Sequence, residues 1–147
     1  MRNRMDRRGW TDGQGGSMDR GPAPYAVNVS EAARENTAFR TALWTGRYLQ
    51  MTVMSIPPRC DIGMELHEDT DQLIRVEAGQ ALVKMGACRE RLDLQKSLSV
   101  NDAVFVPAGF WHNVINIGGC PLKVSSVYAP PHHKRGTCQQ TKEDALE

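Results

Sequence analysis

The stretch from Gly63 to Gly79, GMELHEDTDQLIRVEAG, decides the fold of this chain. Glu65 and His67 are two residues apart, so on a β-strand their side chains project from the same face. The polar run that follows predicts a turn, and Gln72 then begins a second strand whose next same-face residues are apolar. A carboxylate, an imidazole and a carboxamide therefore converge from two adjacent strands. Such a set is costly inside an apolar sheet unless it binds something, and a divalent metal ion is the first candidate.

A second informative stretch runs from Asn101 to Asn116, NDAVFVPAGFWHNVIN. Ala103–Val106 predicts a buried strand, and the Pro-Ala-Gly sequence after it predicts a tight turn. His112 comes three residues beyond that turn, at the mouth of a sandwich or barrel, where it is placed to complete a metal site. Trp111 beside it either roofs the cavity or packs in the ordinary way.

Short segments rich in Val, Ile, Leu and aromatic residues recur from Phe39 onward, separated by Gly, Pro, Asn and Asp. They predict strands near 39–45, 48–56, 62–67, 72–78, 80–85, 90–95, 103–106, 111–116 and 121–128. No helical periodicity is long enough for a βαβ unit; one short helix, 31–36 with Ser30 as its cap, precedes the strands. So many short strands in about a hundred residues predict an all-β, antiparallel sandwich or small barrel.

The chain is long enough for one domain. Residues 1–24 contain no Val, Ile, Leu or Phe and are rich in Gly, Arg and Asp. Such a segment buries too little surface to offset its ordering entropy, so it is predicted to be a disordered tail. The barrel is predicted to span 25–134, and a polar C-terminal tail, 135–147, to follow it.

The composition excludes several classes of protein. A net charge of +1 gives no reason to expect nucleic acid or an anionic membrane as a partner. No apolar run approaches the ~20 residues of a membrane span, and no apolar segment follows the early arginines as a signal peptide requires. The four cysteines are widely spread and form no CxxC pair. Reduced thiols and a cytoplasmic location are therefore expected.

The two stretches resemble the paired motifs of the cupin superfamily, G(X)5HXH(X)3–4E(X)6G followed by G(X)5PXG(X)2H(X)3N. In the second motif Pro107, Gly109, His112 and Asn116 fall in register, and Asn101 stands where the first Gly is expected. The resemblance covers about residues 40–130 and is to small single-domain bacterial cupins, often labelled mannose-6-phosphate-isomerase-like. It implies an antiparallel double-stranded β-helix, the cupin jelly-roll barrel.

The first motif departs from the family pattern at two ligands. His67 matches the second His and Gly79 the final Gly, but Glu65 stands in place of the first His and Gln72 in place of the Glu. The usual set of three imidazoles and one carboxylate would become Glu65, His67, Gln72 and His112. Gln72 would bind the metal through its carbonyl oxygen or hydrogen-bond to a metal-bound water.

Two His and one carboxylate suit non-haem Fe(II), but ligands of mixed N and O type do not distinguish Fe, Mn, Ni, Zn and Cu. The alternative is a degenerate barrel in which Glu65 and His67 simply pair across the cavity. With a metal, the resemblance implies an enzyme that isomerises or dioxygenates a small polar, carbohydrate-like or carbonyl molecule. A non-catalytic module that binds or senses a small ligand remains the second interpretation.

Three further expectations concern charge inside the barrel, the two C-terminal histidines and the oligomeric state. No cluster of Arg and Lys is predicted inside the barrel. His132 and His133 follow two prolines, which predicts an extended, exposed loop, with closure over the site as the alternative. Met64 and Leu66 alternate with the candidate ligands and so face outward, which predicts a homodimer formed through that face.

Overall fold

The computed structural model describes residues 18–146 of the chain. Its helices and strands follow in this order: α1 Val29–Glu35, β1 Arg40–Thr45, β2 Gln50–Ile56, β3 Glu65–Leu66, β4 Asp71–Ala78, β5 Ala81–Gly86, β6 Leu94–Leu98, β7 Ala103–Val106, β8 Trp111–Asn116, β9 Leu122–Ala129, β10 Cys138–Gln139 and a 3-10 turn Glu143–Leu146. The all-β prediction is confirmed. No helix within 18–146 is long and apolar enough to cross a membrane.

The strands form two antiparallel sheets. One has six strands in the order β10-β1-β2-β9-β4-β7, and the other has four in the order β3-β8-β5-β6. Alternation along each strand turns one row of side chains inward, and the inward rows of the two sheets share a hydrophobic core. Apart from β3, most predicted strands agree with the observed ones to within two residues at each end; β6 lies later than predicted because β5 pairs Met85 with Leu94.

The inward face of the six-stranded sheet changes character along its strands. Strand register aligns one apolar cross-strand row and, toward the other end, two rows that carry polar groups. From the apolar end to the polar end of the sheet, the three rows across β2, β9 and β4 are Met54–Val124–Val76, Thr52–Ser126–Ile74 and Gln50–Tyr128–Gln72. All nine side chains are buried. The barrel therefore has an apolar end that stabilises the fold and a polar end that needs partners for its buried groups.

Positive-φ backbone marks the turns between the strands. Gly79 and Gly109 have φ near +89° and +83°, a conformation that is strained for most L-residues. Asn101, which replaces the first Gly of the second motif, has φ +76°. Asparagine is among the few residues that tolerate this conformation, so the turn before β7 keeps its shape without glycine.

The N-terminal boundary of the domain differs from the prediction. Most of the predicted tail lies outside the described residues, but residues 18–24 pack on the barrel. Asp19 is fully buried, and its carboxylate accepts hydrogen bonds from Thr45 Oγ1 at 2.6 Å and from the N–H of Gly21 and Gly136 at 3.0 and 2.9 Å. The amino-acid composition did not predict this packing, because the segment is held by the hydrogen bonds of one buried carboxylate and not by buried apolar area.

The predicted C-terminal tail is also part of the barrel. β10 pairs with β1 through the register Arg40↔Gln139, and Lys142 pairs with Asp61. A two-residue strand held by backbone hydrogen bonds needs no alternating apolar pattern, so the sequence carried no signal for it. The helix is likewise shifted: Asn28, not Ser30, is the cap, and its Oδ1 accepts from the N–H of Glu31 at 2.8 Å.

Homodimerisation stays a prediction. Met64 and Leu66 are only half-buried, and Phe105, which was predicted to lie in a buried strand, is 74% exposed on the edge strand β7. The ring faces out because Val106 takes the inward position of that strand.

We expect light scattering at micromolar concentration to give about twice the 16.4 kDa chain mass. Met64→Lys, on the face predicted to form the dimer, should shift the population toward monomer, whereas Ile117→Lys, at a 49% exposed loop position, should not. A wild-type monomer would contradict the dimer.

Candidate metal centre

Three candidate ligands are brought together by the pairing of β3 with β8. Glu65 on β3 lies opposite His112 on β8 in the strand register. His67 follows β3 directly, and its carbonyl accepts a hydrogen bond from the N–H of Gly109 at 2.8 Å. The turn before β8 is thereby attached to the end of β3. The two sequence motifs thus meet on the inner wall of the four-stranded sheet, near the polar end of the barrel.

The ligand atoms of these residues converge. Glu65 Oε2 lies 3.3 Å from His67 Nε2 and 3.8 Å from His112 Nε2, and the three atoms lie within 4.8 Å of one another. Donor atoms that share one transition-metal ion at bond lengths of about 2.1 Å are separated by about 3.0–3.4 Å. All three atoms are buried, and none has a hydrogen-bond partner within the described part of the chain. Buried polar atoms are rarely left in this condition, so the residues fit a metal ion.

The protonation states favour cation binding. His112 Nδ1 lies 3.2 Å from the carbonyl oxygen of Phe110, which assigns the proton to Nδ1 and leaves the Nε2 lone pair facing the site. Burial lowers the pKa of His112, so the imidazole is neutral at pH 7. Burial alone would raise the pKa of Glu65, but the contact with His67 and the charge of Arg40 outweigh it and lower that pKa to about 2. The site therefore offers one carboxylate and a lone pair from His112.

Arg40 is a functional candidate that the sequence analysis missed. Its side chain is buried, and its Nη2 lies 3.3 Å from Glu65 Oε1 while Nη1 donates to Gln139 Oε1 at 2.9 Å. Because Oε1 of Glu65 is occupied by the guanidinium, only Oε2 faces the two imidazoles. The single signal available was a charged residue on the inward face of a predicted strand. The sequence predicted no cluster of Arg and Lys inside the barrel, and within residues 18–146 the Arg40 guanidinium lies there beside Glu65.

Gln72 lies on the opposite wall from the three convergent ligands. It is buried on β4, its Nε2 is 3.4 Å from Ser126 Oγ, and its Oε1 has no hydrogen-bond partner. The strand register sets it beside Tyr128, whose ring centroid lies 5.8 Å from that of His67. A carbonyl oxygen without a partner near the site agrees with either role, direct ligand or partner of a bound water.

The segment after β9 lies against the site, as the alternative to an exposed loop predicted, although His132 itself is exposed. The ring centroid of His132 is 4.0 Å from that of His67, although His132 keeps an exposed face. His133 Nε2 lies 3.3 Å from the Tyr128 hydroxyl. The cause is Gln50, a fully buried residue whose side chain bonds to the backbone of both histidines. Proline pairs predict an extended segment but not where it lies, so the local pattern could not place it.

Two other motif residues have structural roles. Trp111 alternates with His112 and therefore lies on the outer face, where the guanidinium of Arg89 sits 5.4 Å from its ring centroid. This agrees with ordinary packing and not with a roof over the cavity. Asn116 donates to the carbonyls of Ile56 and Cys120, both at 2.9 Å, and so holds the β8–β9 turn against β2.

Comparison with known proteins agrees with this fold. Residues 52–128 match the model of the cupin domain family. The YrkC protein of Bacillus subtilis (strain 168) is 49% identical over 128 residues, which are 87% of this chain and 69% of that protein. The crystal structure of BH2720 from Bacillus halodurans has a TM-score of 0.87 at 48% identity and covers 88% of this chain and 98% of that one. KdgF from Halomonas sp., at 18% identity over 63% of this chain and 80% of that one, has a TM-score of 0.57 and shares the fold alone.

Fold and site together define a small β-barrel with a candidate His/Glu metal site at one end. The chain belongs to the cupin domain family. The finer mannose-6-phosphate-isomerase-like label receives no support from these comparisons.

The ligand ranking can be tested by substitution. Glu65→Gln removes the one carboxylate among the ligand atoms and should weaken metal binding at least tenfold, about 1.4 kcal/mol or more. Gln72→Ala should cost much less if Gln72 holds a water or binds weakly. Glu68→Gln, which removes the same charge from an exposed turn position, is the matched control. The dissociation constants come from titration of metal-free protein. Equal losses at Glu65 and Gln72 would show that Gln72 is a full ligand.

Proposed function

We propose that this cupin binds one divalent transition-metal ion through Glu65, His67 and His112 and uses it on a small polar molecule, carbohydrate-like or carbonyl-containing. One observation carries the proposal: three buried potential ligand atoms from two motifs converge, and none has a hydrogen-bond partner within residues 18–146. In the alternative degenerate barrel, Glu65 and His67 would pair directly. Their 3.3 Å contact would still leave His112 Nε2 without a partner, so it explains the site less well.

The residues around the site suit chemistry on an oxygen-rich substrate. A bound divalent ion would act as a Lewis acid on a carbonyl or enediolate oxygen, or activate dioxygen beside an organic substrate. Arg40 holds Glu65 ionised and directs one carboxylate oxygen inward. Thr52, Ser126 and Gln72 line the inner wall with hydrogen-bonding groups, and the Oγ1 of Thr52 and the Oε1 of Gln72 have no partner within residues 18–146. These groups favour a substrate with several hydroxyl or carbonyl oxygens.

A titratable pair that is not needed for ligation favours an enzyme over a binding module. The Tyr128 hydroxyl and His133 Nε2 are 3.3 Å apart, and the Tyr128 ring lies edge-on to that of His67. Burial raises the pKa of Tyr128, so the hydroxyl remains a proton donor at pH 7. Burial and the charge of Arg40 lower the pKa of His133 to about 3, so its imidazole is neutral at pH 7 and can accept a hydrogen bond from the Tyr128 hydroxyl. A hydroxyl donor beside the candidate metal site is a group that proton transfer during isomerisation can use.

Metal content is the direct test of the site. Purified protein should carry about one transition-metal ion per chain, and His67→Ala or His112→Ala should remove it because each deletes a convergent ligand. His133→Ala removes a neighbouring imidazole that faces Tyr128 and should leave the metal in place. Elemental analysis gives the stoichiometry. If wild-type protein holds no metal even after reconstitution with Fe(II), Mn(II), Ni(II) and Zn(II), the proposed function fails.

Turnover separates the enzyme from the binding module. We expect the metal-loaded protein to exchange the α-hydrogen of small hydroxy-aldehydes or hydroxy-ketones in D₂O, followed by NMR, or to consume dioxygen with them. Tyr128→Phe should slow that reaction by about 10²-fold or more while the metal content stays unchanged. Saturable binding of such compounds without exchange or oxygen uptake would instead support the non-catalytic module.

A further inference from the structure

The three convergent residues would give a bound metal ion fewer protein ligands than is usual. Four ligands are the usual minimum for a transition-metal ion, and Glu65, His67 and His112 supply three atoms, all from the four-stranded sheet and the segment beside it. A further protein ligand must come from another element. Gln72 on β4 is one candidate. The other is His132, which lies beyond the end of β9 and has the closest ring-to-ring approach to a candidate ligand, 4.0 Å to His67.

The separation of the His67 and His112 rings fits imidazoles that share one ion, and the His132 ring lies slightly too close to His67. An imidazole nitrogen about 2.1 Å from an ion places the ring centroid about 3.2 Å from it, so two rings bound at 90–110° have centroids about 4.5–5.3 Å apart. The rings of His67 and His112 are 5.2 Å apart, within this range. The rings of His67 and His132 are 4.0 Å apart and tilted by 53°, slightly closer than two rings on one ion.

A small movement of His132 would therefore complete the set. The His132 nitrogens are not among the ligand atoms that already converge. The ring makes no hydrogen bond to any residue in 18–146, and one face is exposed, so it is free to turn about its side-chain bonds. Its nearest ring neighbours other than His67 are Tyr128 at 5.9 Å and His133 at 4.8 Å.

The backbone of this segment is held in position by Gln50. Gln50 Oε1 accepts from the N–H groups of His132 and His133 at 3.1 and 2.9 Å, and Gln50 Nε2 donates to the carbonyl of His133 at 2.8 Å and to Thr45 Oγ1 at 3.0 Å. All four hydrogen-bonding positions of the buried carboxamide are thus used. A carboxamide so fully bonded fixes the backbone at 132–133 against β2, which keeps His132 at the mouth of the site.

We propose that His132 is a third imidazole ligand of the metal ion, delivered by the segment that follows β9 and anchored by Gln50. This inference rests on the proposed function, since it assumes that Glu65, His67 and His112 hold a metal. Ligation by His132 attaches the C-terminal segment to the site across the barrel mouth. Metal loading would then attach this segment to the ligands of the four-stranded sheet.

The test counts imidazoles on zinc, a redox-inert probe of the site. Metal-free full-length protein is loaded with one equivalent of Zn(II), and X-ray absorption at the zinc edge gives the number of imidazoles per ion. Chelator competition gives the dissociation constant. We expect three imidazoles in wild-type protein and two in His132→Ala, with a dissociation constant raised at least tenfold. Because His132 is exposed, the variant should fold normally, which circular dichroism checks.

His133→Ala is the matched control, since it removes the adjacent imidazole without touching the assigned ligand. It should retain three imidazoles and wild-type zinc affinity. Two imidazoles in wild-type protein, with equal affinity in His132→Ala, would overturn this inference and leave the proposed function standing. Equal loss in His132→Ala and His133→Ala would also overturn it, because the effect would then belong to the segment and not to His132. Wild-type protein that takes up no zinc would overturn this inference. If it also takes up no Fe(II), Mn(II) or Ni(II), the proposed function is overturned as well.

Discussion

The contact between Arg40 and Glu65 is the constraint on which the site depends, because it joins the two sheets at the polar end of the barrel. Arg40 comes from β1 of the six-stranded sheet and Glu65 from β3 of the four-stranded sheet. Both charged groups are largely buried, at 3% and 21% side-chain exposure. Breaking such a pair leaves an uncompensated charge in a low-dielectric interior, which costs far more than the pair contributes. The contact also decides which carboxylate oxygen is left for His67 and His112.

The division of the barrel into an apolar end and a polar end explains how the fold carries so many buried polar groups. Ile56, Val76, Leu122 and Val124 are almost fully buried at the apolar end, and their transfer from water drives folding. At the polar end, Glu65, His67, His112 and Gln72 have buried polar atoms without hydrogen-bond partners, and the cost of burying them reduces the free energy gained on folding. Natural proteins tolerate such local cost at functional sites, where a ligand satisfies the groups that the fold leaves open. This contrast supports the site more strongly than the motif spacing alone does.

Both ends of the described part of the chain, residues 18–146, pack on the barrel and complete it. Asp19 near the start of the described chain bonds to Gly136 near its end, and Arg40 reaches the site from a strand whose outer partner is β10. The same C-terminal region brings His132 and His133 to the mouth through Gln50. Residues from both ends of the chain therefore determine the shape of the polar end, and truncation at either predicted domain boundary would remove part of that arrangement.

The sequence by itself determined the fold class, most of the strands and the pairing of two motifs, because period-2 alternation and turn residues such as Gly79 and Asn101 act over a few neighbouring positions. It also placed Glu65 and His67 on one face and His112 beyond its turn. Only the tertiary structure decided the rest of the site. Gln50 and His133 are 83 positions apart, Arg40 and Gln139 are 99, and the Asp19 contact with Gly136 spans 117. No local pattern encodes which polar side chains will meet across such distances, because that depends on how the two sheets close on each other.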